Sequence, residues 1–299
     1  MSLEKLVAIA ANKEQFVTIQ HYLDFTAKFL EFLADGVQAT IVSQNENHYR
    51  FFQYRKDGHF NITRPINSNL MYGVDDIAQV TQEFLPTLDG AKDLPADDHV
   101  SRQRLCNAIY TIQQSIGSAL DALPAGESNR ARKVNGDLFE RLILLLIKRL
   151  GIQCRSGNVQ LPIKVDGIVQ FSMNYQHDLV IERGELIKAL GSVKTSSKDR
   201  IDKIFVDKFL YNRITETDTP HFAVFLNDVQ RKNVKAENEY GVSATFLPGH
   251  FKGYTVKLNP LDGVFYCDIR PNMQTDAFLG QYIDTIDRLF CSALWEMVD

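Results

Sequence analysis

Residues 177–194 read HDLVIERGELIKALGSVK, two apolar runs joined at Arg183-Gly184. This pattern constrains the fold most, because two such runs across a glycine turn specify an antiparallel hairpin whose register sets every later residue. Along the second run, period-2 geometry puts Leu190, Ser192 and Lys194 on one face and Ala189, Gly191 and Val193 on the other. Pairing about 183–184 brings Asp178, which opens the first run, toward the Ser192–Lys194 end if the sheet curves there. A carboxylate beside a lysine at a strand end, with a helix to follow, is a chemical arrangement as much as a structural one.

The rest of the chain supplies a frame. Of its 299 residues 44% are hydrophobic, enough for one large core or two moderate ones. Apolar positions at helical spacing run through 3–35 and again through 74–122, with a hairpin between them over 38–63 that turns at Asp57-Gly58. The segment 122–133, ALPAGESNRARK, reads as a seam. It separates residues 1–125, a mainly helical region for dimerisation or DNA contacts, from 126–299. The second part opens on a helix from 134, continues through β-like runs VQLPIKV, IVQFSMNY and the 177–194 hairpin, and enters a helix capped by Ser196 or Ser197. Strands HFAVFLNDV and GVFYCDIR follow, and 274–297 reads as a closing helix. This order implies α/β architecture with a central mixed sheet flanked by helices.

Several classes are disfavoured. The longest apolar run, LILLLI at 142–147, is far short of a membrane span. With no signal-peptide pattern at the start, a cytoplasmic location is the expectation. The four cysteines are far apart and lack metal-ligand spacing, so free thiols are expected. A net charge of -4 announces no nucleic-acid binder, although a local basic cleft needs none.

The chemistry-bearing residues suit phosphodiester hydrolysis. Asp178 can hold a hard cation such as Mg2+, and Lys194 can position a water and stabilise developing charge. One carboxylate rarely suffices. Asp207 lies seven residues after Arg200 on the following helix and shares its face, Asp202 competes with it, and Glu140 sits beside the LILLLI run. Each also reads as a solvated surface acid. Lys198-Asp199-Arg200 is either a charged helix start or a donor–acceptor–donor trio suited to G·C pairs in a major groove. The basic residues Arg130, Arg132 and Lys133 are further candidates for phosphate contact, and the aromatic hairpin with Arg50, Arg55 and Lys56 reads first as a hairpin packing its aromatics and second as a contact to DNA backbone. The stretch 245–258, TFLPGHFKGYTVKL, reads equally as a DNA-contacting loop or a turn between core strands.

Helix with Glu140, strand with Asp178, hairpin and strand ending in Lys194 together resemble the PD-(D/E)xK nuclease superfamily. Ser192-Val193-Lys194 narrows the resemblance to type II restriction endonucleases that cut sites containing CCGG or CCNGG, in which SVK replaces the usual acid-x-Lys. In that group the displaced acid comes from the next helix, about thirteen residues after the lysine; Asp207 stands there, an Asp where Glu is usual. An Arg-(Asp/Glu)-Arg element four residues past the lysine corresponds to Lys198-Asp199-Arg200, with Lys for the first Arg, and His177 replaces the Pro of the superfamily motif. The resemblance covers roughly 134–230. It implies a restriction-endonuclease-like core and Mg2+-dependent cleavage of both strands of duplex DNA. It further implies 5′-phosphate and 3′-hydroxyl ends and a homodimer, or a tetramer, on a palindrome. It assigns the metal to Asp178 and Asp207 with Glu140 assisting, catalysis to Lys194 with Ser192 in the motif, and base reading to Lys198, Asp199 and Arg200. A structure-specific repair nuclease on the same core and a non-catalytic DNA-binding protein are the alternatives.

Overall fold

The structure, a computed structural model, describes residues 1–56, 59–198, 200–233 and 239–299. The turn expected at Asp57-Gly58 lies outside them. The chain divides into two compact units, Met1–Leu142 with Asp228–Thr245, and Ile143–Asn227 with Phe246–Asp299.

The first unit opens with α1 (Leu3–Ala11) and α2 (Ile19–Gly36), each started by a hydroxyl side chain: Ser2 accepts from the Lys5 N–H, and Thr18 from the His21 N–H. Strands β1 (Ala39–Val42), β2 (Tyr49–Lys56), β3 (His59–Ile62) and β4 (Ile66–Asn67) form an antiparallel sheet around β2. Helices α3 (Val74–Asp89) and α4 (His99–Leu120) follow. From Ala108 to Leu120 every residue of α4 is buried, which favours partners inside the protein for its polar side chains. The Gln113 amide donates to Asn135 Oδ1 (2.9 Å) and to its carbonyl (3.0 Å). Arg64 forks onto Asp121 at 2.9 and 2.8 Å across Gly117, where a Cβ would come within 2.3 Å of the guanidinium. Helix α5 (Ser128–Arg149) starts inside the stretch read as a seam, six residues before the expected 134. Its first turns, SNRARK, are polar and carry no apolar period to read.

The second unit is built on β5 (Gln153–Val165), β6 (Ile168–Arg183) and β7 (Leu186–Lys194), all antiparallel. The runs IVQFSMNY and HDLVIER are one strand, because β5 pairs with β6 along almost its whole length. Helix α6 (Ile201–Thr215) leads to β8 (His221–Phe225), parallel to β7. The helix begins later than Ser196 or Ser197, since the Leu226 N–H still bonds the Lys194 carbonyl and the Ser197 N–H still bonds Asn227. The chain then visits the first unit as the hairpin β9 (Val229–Asn233) and β10 (Tyr240–Ala244), where Asn45 clamps Val242 by two hydrogen bonds. It returns as α7 (Pro248–Lys257), a helix begun by Pro248 where the sequence reading had a loop or turn. Then come β11 (Gly263–Tyr266), the short α8 (Pro271–Thr275) and an edge strand, β12 (Ile283–Thr285). A helical run follows, α9 (Ile286–Arg288) and α10 (Leu294–Val298) joined by a π-helical turn. The closing helix expected over 274–297 is thus interrupted by a strand.

The second unit's sheet has the order β12-β11-β8-β7-β6-β5, parallel from β12 to β7 and antiparallel beyond it. It is the central mixed sheet the sequence implied. Helix α6 covers one face, burying Ile204 and Phe205 with Ala223, Phe225, Val264 and Tyr266, and Tyr211 with Val159, Leu161, Val180 and Leu190. The C-terminal helical run packs on β6, β7 and β11. The four cysteines are buried free thiols, and among the described residues no helix is long and apolar enough to cross a membrane.

Gly191 of β7 lies directly on the Phe222 ring: a Cβ there would sit 2.5 Å from Phe222 Cζ, and that ring is fully buried. Gly191→Ala should therefore cost about 1–3 kcal/mol and lower the melting temperature in circular dichroism. An unchanged melt would mean the ring can retreat.

Candidate active site

A regular strand would turn Asp178 and His177 to opposite faces. The β5–β6 ladder departs from regularity at this point: from the pair Arg155–Val180 to the pair Gly157–His177, β5 advances two residues and β6 three. The extra residue is a β-bulge at Asp178–Leu179, opposite Ser156 and next to Gly157, whose φ of +127° is a conformation other residues avoid. One consequence is a change of parity. Tyr175 and Val180, an odd number apart, pack in the same cluster beneath α6. The other consequence is the aim of Asp178. Its Oδ2 accepts from Lys194 Nζ at 2.5 Å and from the Val193 N–H at 2.8 Å, so both hydrogen bonds fall on one oxygen. The Asp178–Lys194 closeness that the hairpin required is met, with the bulge supplying the curvature. The pair is largely enclosed, Asp178 17% and Lys194 30% exposed.

Asp207 stands on α6 over the same strand. Its Oδ1 accepts from Tyr175 OH (2.7 Å), and its Oδ2 pairs with Lys203 Nζ, one turn earlier on the helix. Asp202, the competing acid, faces His250 of α7 instead (3.8 Å) and is 43% exposed. Ser192 is half-buried on β7, level with Ala223 of β8. Glu140 is half-buried on α5, in the first compact unit, whereas Asp178 and Asp207 belong to the second. Lys198 and Arg200 are exposed and precede α6, Arg200 being its N-cap residue, so they extend from a turn and not from a first helical turn. Asp199 lies outside the described residues.

Behind the carboxylates sits a ring cluster that sequence reasoning did not find. His177 packs edge-on against Tyr175 (5.1 Å), Tyr211 (5.7 Å) and His221 (6.1 Å). Burial lowers the His177 pKa, while the Asp207 and Asp178 carboxylates pull it back upward, so one imidazole feels both acids. His221 donates from Nδ1 to the Thr219 carbonyl (2.9 Å), and burial pushes its pKa down to about 4. The Tyr175 hydroxyl is raised by burial and by Asp207. The i,i+4 spacing of Lys203 and Asp207 was in the sequence to be read. Tyr175 and His221 had no such signal, because they meet α6 only through the bulged sheet.

Chemically, this is a half-buried acid held by an ammonium and a backbone N–H, with a second acid held by a phenol and another ammonium. Hard oxygen donors of this kind suit a magnesium-like cation that keeps waters and takes one or two carboxylates. Among the described residues no cluster of three or more His, Cys, Asp or Glu side chains could hold a metal by itself. That donor set fits a cation shared with substrate oxygens.

No protein-family model and no curated protein matches the chain. Among solved structures, the type IIP restriction endonuclease Kpn2I matches with a TM-score of 0.71 at 16% identity, over 96% of this chain and 95% of that one. A complex of restriction endonuclease PspGI with substrate DNA matches at a TM-score of 0.41 and 12% identity, over 75% of this chain and 90% of that one, too distant to carry weight. The Kpn2I likeness establishes the fold as that of a restriction endonuclease.

The His221 pKa has a sign that can be tested. Its folded-state pKa lies below the unfolded value, so the unfolded chain binds more protons between the two. The stabilisation from a neutral His221 is complete above about pH 6.5 and is lost as pH falls through about 4, on the order of 3 kcal/mol in all. In histidine NMR spectra the His221 ring should stay neutral down to about pH 4. Titration near 6.5 would contradict the buried placement.

Proposed function

We propose that this chain is a magnesium-dependent type II site-specific deoxyribonuclease, cutting both strands of duplex DNA at a short G·C-containing palindrome with a CCGG or CCNGG core. The observation that carries the reading is the 2.5 Å contact between Asp178 and Lys194 at the carboxyl end of β7. The fold shared with Kpn2I and the Ser192-Val193-Lys194 sequence support it.

In this reading Asp178 and Asp207 would hold the cation. When bound, the cation neutralises the scissile phosphate and favours a nucleophilic water. Asp207 is pre-positioned for ligation by Tyr175, so its carboxylate needs little reordering. Lys194, fixed by Asp178, orients the attacking water and stabilises charge developing on the phosphate oxygens. Ser192 occupies the place of the usual motif acid and leaves that ligand to α6. Lys198 and Arg200 donate to guanine O6 and N7 while Asp199 accepts from cytosine N4. The place of Lys198 and Arg200 in the exposed turn between Lys194 and α6 would join reading to cutting. A palindrome read by identical chains requires a two-fold pair, which makes a homodimer, or a tetramer built from it, the working form in the cytoplasm.

Plasmid DNA incubated with the chain and magnesium should give discrete bands, and EDTA should abolish them. Lys194→Ala should lower the cleavage rate on the order of 10²–10⁴-fold with duplex binding retained. A variant that cuts like wild type removes Lys194 from the mechanism, and a smear in place of bands points to a non-specific nuclease.

A further inference from the structure

Strand β7 pairs with β6 only over Leu179–Arg183. Before Leu179, β6 pairs with β5 alone, so residues 157–177 form a two-stranded ribbon. One side is apolar near its base, where Val159, Leu161, Met173 and Tyr175 pack beneath α6. The opposite side is another kind of surface. Asn158, Gln160, Ser172, Asn174 and Gln176 are all exposed, and the ladder pairs Asn158 with Gln176 and Gln160 with Asn174.

Solubility alone does not require such a face. Exposed sheet surfaces and edges are usually kept soluble with charge, especially lysine, yet the ribbon's only charged side chains are Lys164 and Asp166, at its turn. A row of carboxamides offers a donor and an acceptor at each position without a charge to repel phosphates. That is the equipment for reading base edges, since Asn and Gln pair bidentately with adenine N6 and N7. The dimensions agree. A two-stranded ribbon fits the major groove, and same-face residues are about 6.8 Å apart along an antiparallel strand, close to two base-pair steps.

We propose that the amide face of the β5–β6 ribbon is a sequence-reading surface for duplex DNA, contacting base edges that Lys198, Asp199 and Arg200 do not. The proposal rests on the nuclease reading above, and its position supports it: Gln176 is two residues from Asp178 on the same strand. A duplex whose phosphate lies at Asp178 passes beside the ribbon, and the occupant favoured by uncharged donors and acceptors is the groove. The exposed Ile168 and Phe171 near the turn are an apolar surface apart from the amide face.

The test uses the full chain and duplexes with a randomised core, selected by binding in calcium and sequenced. The same duplexes are then cleaved in magnesium and their ends sequenced. The double variants Asn158→Ala/Gln176→Ala and Gln160→Ala/Asn174→Ala alter exposed residues only and should melt as wild type does. The expected result is a bound motif that loses preference at one or two base pairs, by roughly 10- to 100-fold, in both variants. An unchanged motif and affinity overturns the proposal. So does a shift from dimer to monomer in sedimentation with the motif intact, which would assign the face to a second copy of the chain. If wild type selects a motif but cuts nothing, the nuclease reading fails and the ribbon is still decided by the binding arm. If wild type selects no motif at all, the ribbon proposal fails with it.

Discussion

Everything local to Asp178 depends on one irregularity, the extra residue that β6 inserts opposite Ser156, beside Gly157. Without it, Tyr175 and His177 would share a face with Leu179, and Asp178 would project with Gln176 into solvent. With it, the strand changes parity, the rings go under α6, and the carboxylate swings onto Lys194 and the Val193 N–H. A glycine at φ +127° is the backbone condition for that turn. A partly enclosed ion pair of this size contributes little net stability, because desolvation offsets most of the attraction. A stability argument therefore does not account for a bulge that enforces one. A placement argument does: Lys194 ends a parallel strand, and carboxyl ends of parallel strands are where open α/β sheets place their ligands.

The rings beneath the acids complete that account. His177 and His221 are held neutral by burial, with Tyr211 edge-on to both. Neutral imidazoles and a phenol make a wall that excludes water without adding charge. On such a wall the field at Asp178 and Asp207 comes from the carboxylates and their two lysines. Tyr175 belongs to both layers, its ring in the cluster and its hydroxyl on Asp207. The arrangement ties α6 to β6 at the point where Asp207 and Asp178, on different elements, both face the His177 ring.

How much of this was legible depended on whether the signal was local. The alternation of Leu186–Lys194 and the turn at Gly184 are short-range facts, and the hairpin formed where they implied. The central mixed sheet followed from the order of elements. Boundaries set by tertiary hydrogen bonds were misread: α6 starts at Ile201 because residues through Ser197 are still tied to the extension of β8. Helix α5 starts at Ser128 through a polar turn that no apolar period announces. The strand β12 interrupts a helical pattern because only its pairing with β11 makes it a strand. In the site, the Asp178–Lys194 contact was readable from the hairpin, whereas Tyr175 and His221 were not. A bulge that changes the face of every residue on one side of it defeats period-2 reading, which assumes the parity is constant.

The same strand carries both kinds of chemistry, and this limits how they can be connected. From Gln170 to Gln176 β6 exposes uncharged donors and acceptors, and at Asp178 it turns a carboxylate inward. No flexible joint lies between them: β5 pairs with β6 on both sides of the bulge, and the hydrogen bonds to Val193 and Lys194 pin its far side to β7. On the proposed reading, whatever fixes the ribbon in a groove would therefore fix Asp178 against the backbone of the same duplex. Rigid coupling of this type would make placement depend on fit on that reading, because a ribbon seated out of register would move the carboxylate and Lys194 away from the phosphate together. Discrimination then need not come from binding alone, since an ill-fitting duplex would also be a badly positioned one.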